Sequence, residues 1–266
     1  MAKMKLNGHP TWYTIATKRK RFKKRPTIVL LHGGMSSSAS ILNSIGPRLA
    51  TRFRIAAFDR RGHGRTRDTD EPFHYNMMAN ETIAFLEYLG KPAHLVGDSD
   101  GGIVALMVAM RRPDLVARAV AVGANYHYSG LGHIDSFDFD SKQFKRWSKK
   151  FAKYSPDGRR HARVVVEKTL EMFASEPILR TANLASIHVP ILVMAGDDDV
   201  VELSHTCSLY ESLPNAQLAI VPGASHSVLK ERPKECGRII THFLESDLPP
   251  VTFLPVRRAN AVFTDG

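Results

Sequence analysis

The stretch His94-Leu-Val-Gly-Asp-Ser-Asp-Gly-Gly102 constrains this chain more than any other. An apolar run stops at Gly97, and Gly101 and Gly102 open a helix of small and branched residues, Ile103-Val-Ala-Leu-Met-Val-Ala-Met110. Ser99 then stands alone on the turn between strand and helix. A turn this sharp forces its central residue into a strained backbone conformation, and glycines on both flanks let it close without a Cβ clash. A Gly/Ser turn by itself is commonplace, so the rest of the chain has to supply what a serine at such a position would need.

Several other apolar runs have the same form. Residues 27–31 and 54–58 are short continuous hydrophobic segments suited to strands buried on both faces, and residues 117–122, 191–195 and 217–221 repeat the pattern. Residues 11–16 alternate β-favouring side chains and read as a first strand. Helical segments fall between them, at residues 41–51, at 80–89 with Gly90 as its stop, and at 203–213 and 234–244. Strands alternating with helices predict an α/β fold with a mostly parallel central sheet covered by helices on both faces.

Between residues 126 and 180 the pattern changes. Asp140-Ser-Lys-Gln143 reads as a helix start with Asp140 as cap, and Phe144, Trp147, Phe151 and Tyr154 then share one face of a helix. A second helix puts Val166, Leu170 and Phe173 on one stripe. The expectation is a core of residues 1–125 and 181–266, interrupted by a helical cap at 126–180 with no sheet of its own.

In a parallel sheet the strand C-termini share one edge, where ligands bind. Ser99 follows one strand, Asp197-Asp-Asp199 another, and His226 the last. A serine hydroxyl needs a base within hydrogen-bond reach and a carboxylate to orient that base, so these three positions carry the chemistry. With His32-Gly-Gly34, Asp59-Arg-Arg-Gly-His-Gly64, Gly196-x-x-Asp199 and Gly223-Ala-Ser-His226 each closing a strand, residues 11–245 resemble a serine-nucleophile member of the α/β-hydrolase superfamily with a helical cap. That resemblance implies Ser99 as nucleophile, His226 as base and Asp199 as acid, with Asp198 the fallback. It also implies an oxyanion hole of two backbone N–H groups, from Asp100 and from Gly34, with Met35 the alternative to Gly34.

The implied function is cofactor-free, metal-free hydrolysis of an ester or similar activated carbonyl through an acyl-enzyme. Carbon–carbon bond hydrolysis on the same machinery, or ligand binding on the same fold, are the alternatives. Trp147, Phe144 and Phe151 are candidates to contact a small-molecule substrate with an apolar or aromatic part. Two acidic residues flank the serine. Asp98 is expected to hydrogen-bond backbone or pair with an arginine, whereas Asp100 is expected to bring its charge to the pocket floor and raise the His226 pKa.

Charge and composition limit the other possibilities. Thirteen of the 37 basic residues lie in two segments, residues 18–25 and 142–153, and without them the formal charge of +11 becomes −2. Basicity confined to two segments argues against a protein built to bind nucleic acid, though those segments could steer anionic partners or membrane surfaces. No apolar run is long enough to span a membrane, and the polar start lacks the apolar core of a secretion signal, so a cytoplasmic protein is expected. Cys207 and Cys236, without C-x-x-C spacing, read as reduced thiols on surface or half-buried helices. His133, Asp135, Asp138 and Asp140 lack the spacing of a calcium loop.

Overall fold

Eight strands form one sheet in the order β1-β2-β4-β3-β5-β6-β7-β8. They are β1 (Ala2–Leu6), β2 (His9–Ile15), β3 (Thr27–Leu31), β4 (Arg54–Phe58), β5 (Ala93–Asp98), β6 (Val116–Val122), β7 (Ile191–Asp198) and β8 (Ala216–Ser225). The first two pairings, β1 with β2 and β2 with β4, are antiparallel, and the other five are parallel. This is a computed structural model, and it describes residues 2–16, 25–132, 137–247 and 250–257. Most of the basic segment 18–25, His133 and Asp135 of the acidic loop, and the end of the chain lie outside the described residues.

Helices α1 (Ser38–Ser44), α2 (Gly46–Leu49), α3 (Tyr75–Leu89) and α4 (Asp100–Arg111) connect the first strands. Between β6 and β7 come α5 (Lys142–Ala152), α6 (His161–Phe173) and α7 (Thr181–Ala185), and α8 (Leu203–Ser212), α9 (Val228–Glu231) and α10 (Pro233–Glu245) complete the chain. The uninterrupted apolar runs are explained by the two cores. Val29 and Leu31 of β3 face a cluster with α3, α4 and α8, while Ile28 and Leu30 face the other, with α1, α2 and α10. Strand side chains alternate faces, so a strand between two cores has to be apolar at every position.

Four local features differ from the sequence expectation. The first strand is β1, not residues 11–16. Its polar composition suits an edge, and the Asn7-Gly8 turn into β2, with φ of 49° and 83°, is the two-residue hairpin signal that would have revealed it. The helix expected at 41–51 is two short helices that meet at Gly46-Pro47, because proline supplies no N–H to continue the first. Helix α3 starts at Tyr75, well before residue 80. Helix α5 is capped by Ser141, not Asp140: the Phe144 N–H donates to Ser141 Oγ at 3.0 Å. In addition, Cys236 is fully buried on the inner face of α10 rather than half-exposed.

The segment between β6 and β7 is tied to the rest by polar contacts at several points. The Arg65 guanidinium lies between the Trp12 and Tyr154 rings, 4.4 and 4.3 Å from their centres. Lys168 Nζ and His161 Nε2 both reach Asp68, at 3.0 and 2.7 Å, and Glu176 accepts from the Tyr75 N–H at 3.0 Å. The apolar side of the same segment, through Val165 and Met172, joins the core cluster of α3 and α4.

Helix α4 is buried from Asp100 to Ala109, and it can approach the sheet only because the turn before it is glycine on both sides. A Cβ on Gly97 would lie 2.0 Å from the Gly101 carbonyl oxygen, and one on Gly101 would lie 2.2 Å from the Leu31 oxygen. Both are contacts with backbone, which has no room to give. Gly97→Ala is therefore expected to cost about 3 kcal/mol or more, the upper range of overpacking. The check is thermal denaturation, in which an unchanged midpoint would contradict this packing.

Candidate active site

Ser99 has φ 54° and ψ −119°, outside the regions that ordinary side chains favour. Its N–H donates to the Val122 carbonyl at 2.7 Å, and its own carbonyl accepts the Gly102 N–H at 2.7 Å. Hydrogen bonds to the neighbouring strand and to the first turn of α4 thus hold the residue on both sides, and the side chain projects from the strand end.

The residues predicted to meet Ser99 do so. Ser99 Oγ is 3.0 Å from His226 Nε2, and His226 Nδ1 is 2.6 Å from Asp199 Oδ1. The short carboxylate contact puts the imidazole proton on Nδ1, which leaves Nε2 free to accept from the serine hydroxyl. Asp199 itself is held by the Val201 N–H, which donates to Oδ1 at 3.0 Å. Asp197 turns away and accepts the Ala224 N–H, and Asp198 is exposed at the end of β7. Of the three aspartates only Asp199 meets the histidine.

Gly123 is a requirement that the sequence reading missed. It follows β6 with φ 55°, and a Cβ there would lie 3.0 Å from the His226 ring and 3.2 Å from Asp199 Oδ2. The histidine–aspartate pair occupies the space a side chain would fill. A glycine directly after an apolar strand was the available signal.

The glycine loop after β3 closes the other side. Gly33 and Gly34 line a pocket of about 90 Å³ together with Ser99, His226 and Asp98. Behind the loop lies a buried polar group. The Arg60 N–H donates to His32 Nε2 at 3.2 Å, and Arg60 Nη2 donates to the Gly33 carbonyl at 3.1 Å. Burial, with Arg60 and His63 close by, pushes the His32 pKa well below the ordinary value, so His32 stays neutral. Asp59 accepts the N–H groups of Ser38 and Arg65 at 2.7 and 2.9 Å, which explains the Asp59-Arg-Arg-Gly-His-Gly64 motif as a loop organiser.

The two acidic neighbours of Ser99 exchange their expected places. Asp100 is fully buried beneath Gly34, where a Cβ on the glycine would stand 2.7 Å from Asp100 Oδ2. Tyr75 Oη donates to Asp100 Oδ1 at 3.0 Å, and Arg60 Nη2 lies 3.9 Å from Oδ2. It supports the loop rather than forming the pocket floor. Asp98, expected to hydrogen-bond backbone or pair with an arginine, lines the pocket instead and has no ion pair among the described residues. Burial raises the pKa of both carboxyls.

His226 feels all of these groups. Burial disfavours its charged form, but the Asp199 hydrogen bond and the charges of Asp199, Asp98 and Asp100 outweigh that penalty and raise its pKa above 6.5.

A second cavity, about 460 Å³, adjoins the small pocket and shares Gly34, Ser36 and Lys230 with it. Trp147 and Phe151 line it, and Trp147 Nε1 donates to the Met35 carbonyl at 2.8 Å. Phe144 is not part of that lining. It packs edge-on against Phe137 and Phe139, with ring centres 5.9 and 5.2 Å away.

A model of the alpha/beta hydrolase family matches residues 28–238, which includes every residue of this site. The chain belongs to that family. Among its relatives, this hydrolase-family chain is 27% identical to the mouse sn-1-specific diacylglycerol lipase ABHD11, with 82% of this chain and 81% of that protein covered. It is 26% identical to pimeloyl-(acyl-carrier protein) methyl ester esterase of Aeromonas hydrophila, covering 84% and 97%. Among solved structures, the enol-lactonase from Burkholderia xenovorans LB400 superposes with a TM-score of 0.73 at 18% identity, covering 92% of this chain and 100% of the other, a likeness of fold. The named esterase and lipase relatives support hydrolase activity for this member of the family.

Because Asp98 lies in the pocket beside His226, its charge acts on the imidazole. In a proton NMR titration the His226 midpoint is expected above 6.5 and is expected to fall in Asp98→Asn, and to fall further in Asp199→Asn. A midpoint that ignores Asp98→Asn would remove Asp98 from this role.

Proposed function

We propose that the protein is a cofactor-free serine hydrolase of carboxylic esters, with Ser99 as nucleophile, His226 as general base and Asp199 as the acid that orients it. The single observation that supports this reading is the continuous line of hydrogen bonds from Ser99 Oγ through the His226 ring to Asp199, 3.0 and 2.6 Å long, with Ser99 held at φ 54°. A neutral imidazole at hydrogen-bond distance is what a serine hydroxyl lacks on its own.

His226 Nε2 takes the hydroxyl proton as Ser99 Oγ attacks the ester carbonyl carbon. Asp199 remains ionised and stabilises the imidazolium that forms. Negative charge developing on the carbonyl oxygen is received by the backbone N–H groups of Asp100 and Gly34, each contributing about 3 kcal/mol to the transition state. Asp100 is suited to this as the first residue of α4, and Gly34 because it lines the pocket beside Ser99. Collapse of the tetrahedral species releases the alcohol, which takes the proton from His226 Nε2. Water then attacks the acyl-enzyme, His226 again accepting its proton, and Ser99 is regenerated.

Residues 126–180 serve as a helical cap on a core of residues 1–125 and 181–266. Trp147 and Phe151 present an apolar wall to the non-reacting part of the substrate, and Phe144 supports them through its tilted contact with Trp147, 6.0 Å between ring centres. The names of the esterase and lipase relatives favour an ester over a carbon–carbon bond as the group cleaved.

The experiment is hydrolysis of short- and medium-chain aryl esters. Ser99→Ala is expected to lower kcat by at least about three orders of magnitude, and Asp199→Asn by about two to four. Base catalysis needs neutral His226, so kcat/KM is expected to rise with pH through a midpoint above 6.5. Near-wild-type turnover by a purified Ser99→Ala protein overturns the assignment.

A further inference from the structure

The cleft in front of Ser99 carries a carboxylate at its inner end, one cation where its two cavities join and a second within the outer cavity. Asp98 lines the small pocket beside Ser99 and His226. The lining of the larger, 460 Å³ cavity contains Lys150 and Lys230 and no carboxylate. Lys150 comes from α5 and Lys230 from α9, so the two ammonium groups reach the space from separate parts of the fold. Neither makes a close ion pair among the described residues, and Asp98, which shares the small pocket with Lys230, is the carboxylate that feels the Lys230 charge. Other cations of the molecule do make close pairs: Arg52 meets Glu245 at 3.0 Å, Arg112 meets Asp114 at 2.7 Å and Lys168 meets Asp68 at 3.0 Å.

Two like charges beside one cavity repel each other, and both act on the space between them, more weakly as salt rises. An anion placed there lowers the energy of both. Ser36, Ser40 and Asn43 add hydroxyl and amide donors to the same cavity, while Trp147 and Phe151 supply an apolar surface alongside. At the Ser99 end the Asp98 carboxylate offsets Lys230 and opposes an anion close to the scissile bond, whereas Lys150 has no carboxylate beside it in the cavity lining. Together these features favour a guest that is neutral at the reacting carbonyl, apolar in its middle and anionic at its far end.

We infer that the 460 Å³ cavity is a substrate subsite in which Lys150 and Lys230 bind a carboxylate or phosphate carried by the ester at a distance from its scissile carbonyl. The inference rests on the serine-hydrolase reading above for the reaction, but not for the binding. No bond is made or broken at the subsite. Its effect is to hold the distal anion so that the ester group lies at Ser99.

The test compares aryl monoesters of straight-chain dicarboxylic acids, and their phosphate-terminated counterparts, with neutral aryl esters of the same length. The quantity read is the ratio of kcat/KM for the charged to the neutral ester. Replacing both lysines, Lys150→Gln with Lys230→Gln, is expected to lower that ratio about tenfold at low salt, and added salt is expected to narrow the difference. Both side chains are exposed, so the double variant should fold, which circular dichroism checks. The terminus with the larger lysine-dependent ratio identifies which anion the site takes.

A second measurement separates the two readings. Binding of the charged esters to Ser99→Ala protein, measured by calorimetry with and without the lysine substitutions, does not need turnover. If no ester is hydrolysed but binding falls about tenfold when the lysines are replaced, the subsite stands and the hydrolase reading falls. If esters are hydrolysed while neither the ratio nor the binding responds to the lysines, the subsite is overturned.

Discussion

Everything at this site depends on backbone touching backbone at Gly97 and Gly101. The contact brings the start of α4 against β5 and β3, and the price is a non-glycine residue, Ser99, at positive φ. A conformation of that kind costs about 1–3 kcal/mol. The helix that follows buries Ile103, Val104, Leu106 and Val108 almost completely, and each such side chain contributes about 1.5–3 kcal/mol. Burial of α4 therefore exceeds the strain several times over, and the turn is held in place by the core beneath it. A less apolar helix could not hold the serine there.

That balance also explains which parts of the molecule were legible in the sequence. Strands β3 to β7 announce themselves as apolar runs because both faces of the sheet are covered there, and β8, at the edge, is only partly covered. Ser99, Asp199 and His226 are found by their positions just past strand ends, since a parallel sheet gathers those ends at one edge. Edge strand β1 is exposed and polar, so the hydrophobic pattern misses it, and only the Asn7-Gly8 turn gives it away. Gly123 was hidden for a different reason. Its role is to leave room for the His226 ring, a vacancy between residues more than a hundred positions apart; the sequence shows a glycine directly after an apolar strand but not which ring it makes room for.

The exchange of roles between Asp98 and Asp100 shows the same limit more sharply. Two aspartates of identical chemistry stand one on each side of Ser99, and nothing in their spacing distinguishes them. On leaving the strand, the chain turns Asp98 to the pocket, while as the first residue of α4 Asp100 points under the glycine loop. There Tyr75 and Arg60, both from other elements, receive it. Direction follows from the reversal of the chain at a positive φ, and partners follow from tertiary packing. Sequence supplies the residue types and leaves both of those open.

The consequence is electrostatic. A buried carboxylate with a tyrosine and an arginine beside it is partly neutralised where it stands, so Asp100 stiffens the loop and contributes least of the three carboxylates to His226. Asp98 has no hydrogen-bonded tyrosine or buried arginine beside it; its charge is felt by His226 and Lys230 and by whatever enters the pocket. Lys230, which lines the pocket too, lies on α9 only four residues after His226. The helix that follows the histidine thus places a cation at the junction of the two cavities, while the strand before the serine places an anion at the inner end. Charge separation along the cleft is built from the elements that flank Ser99 and His226, so a substrate that is neutral at one end and anionic at the other would be oriented before it reaches Ser99.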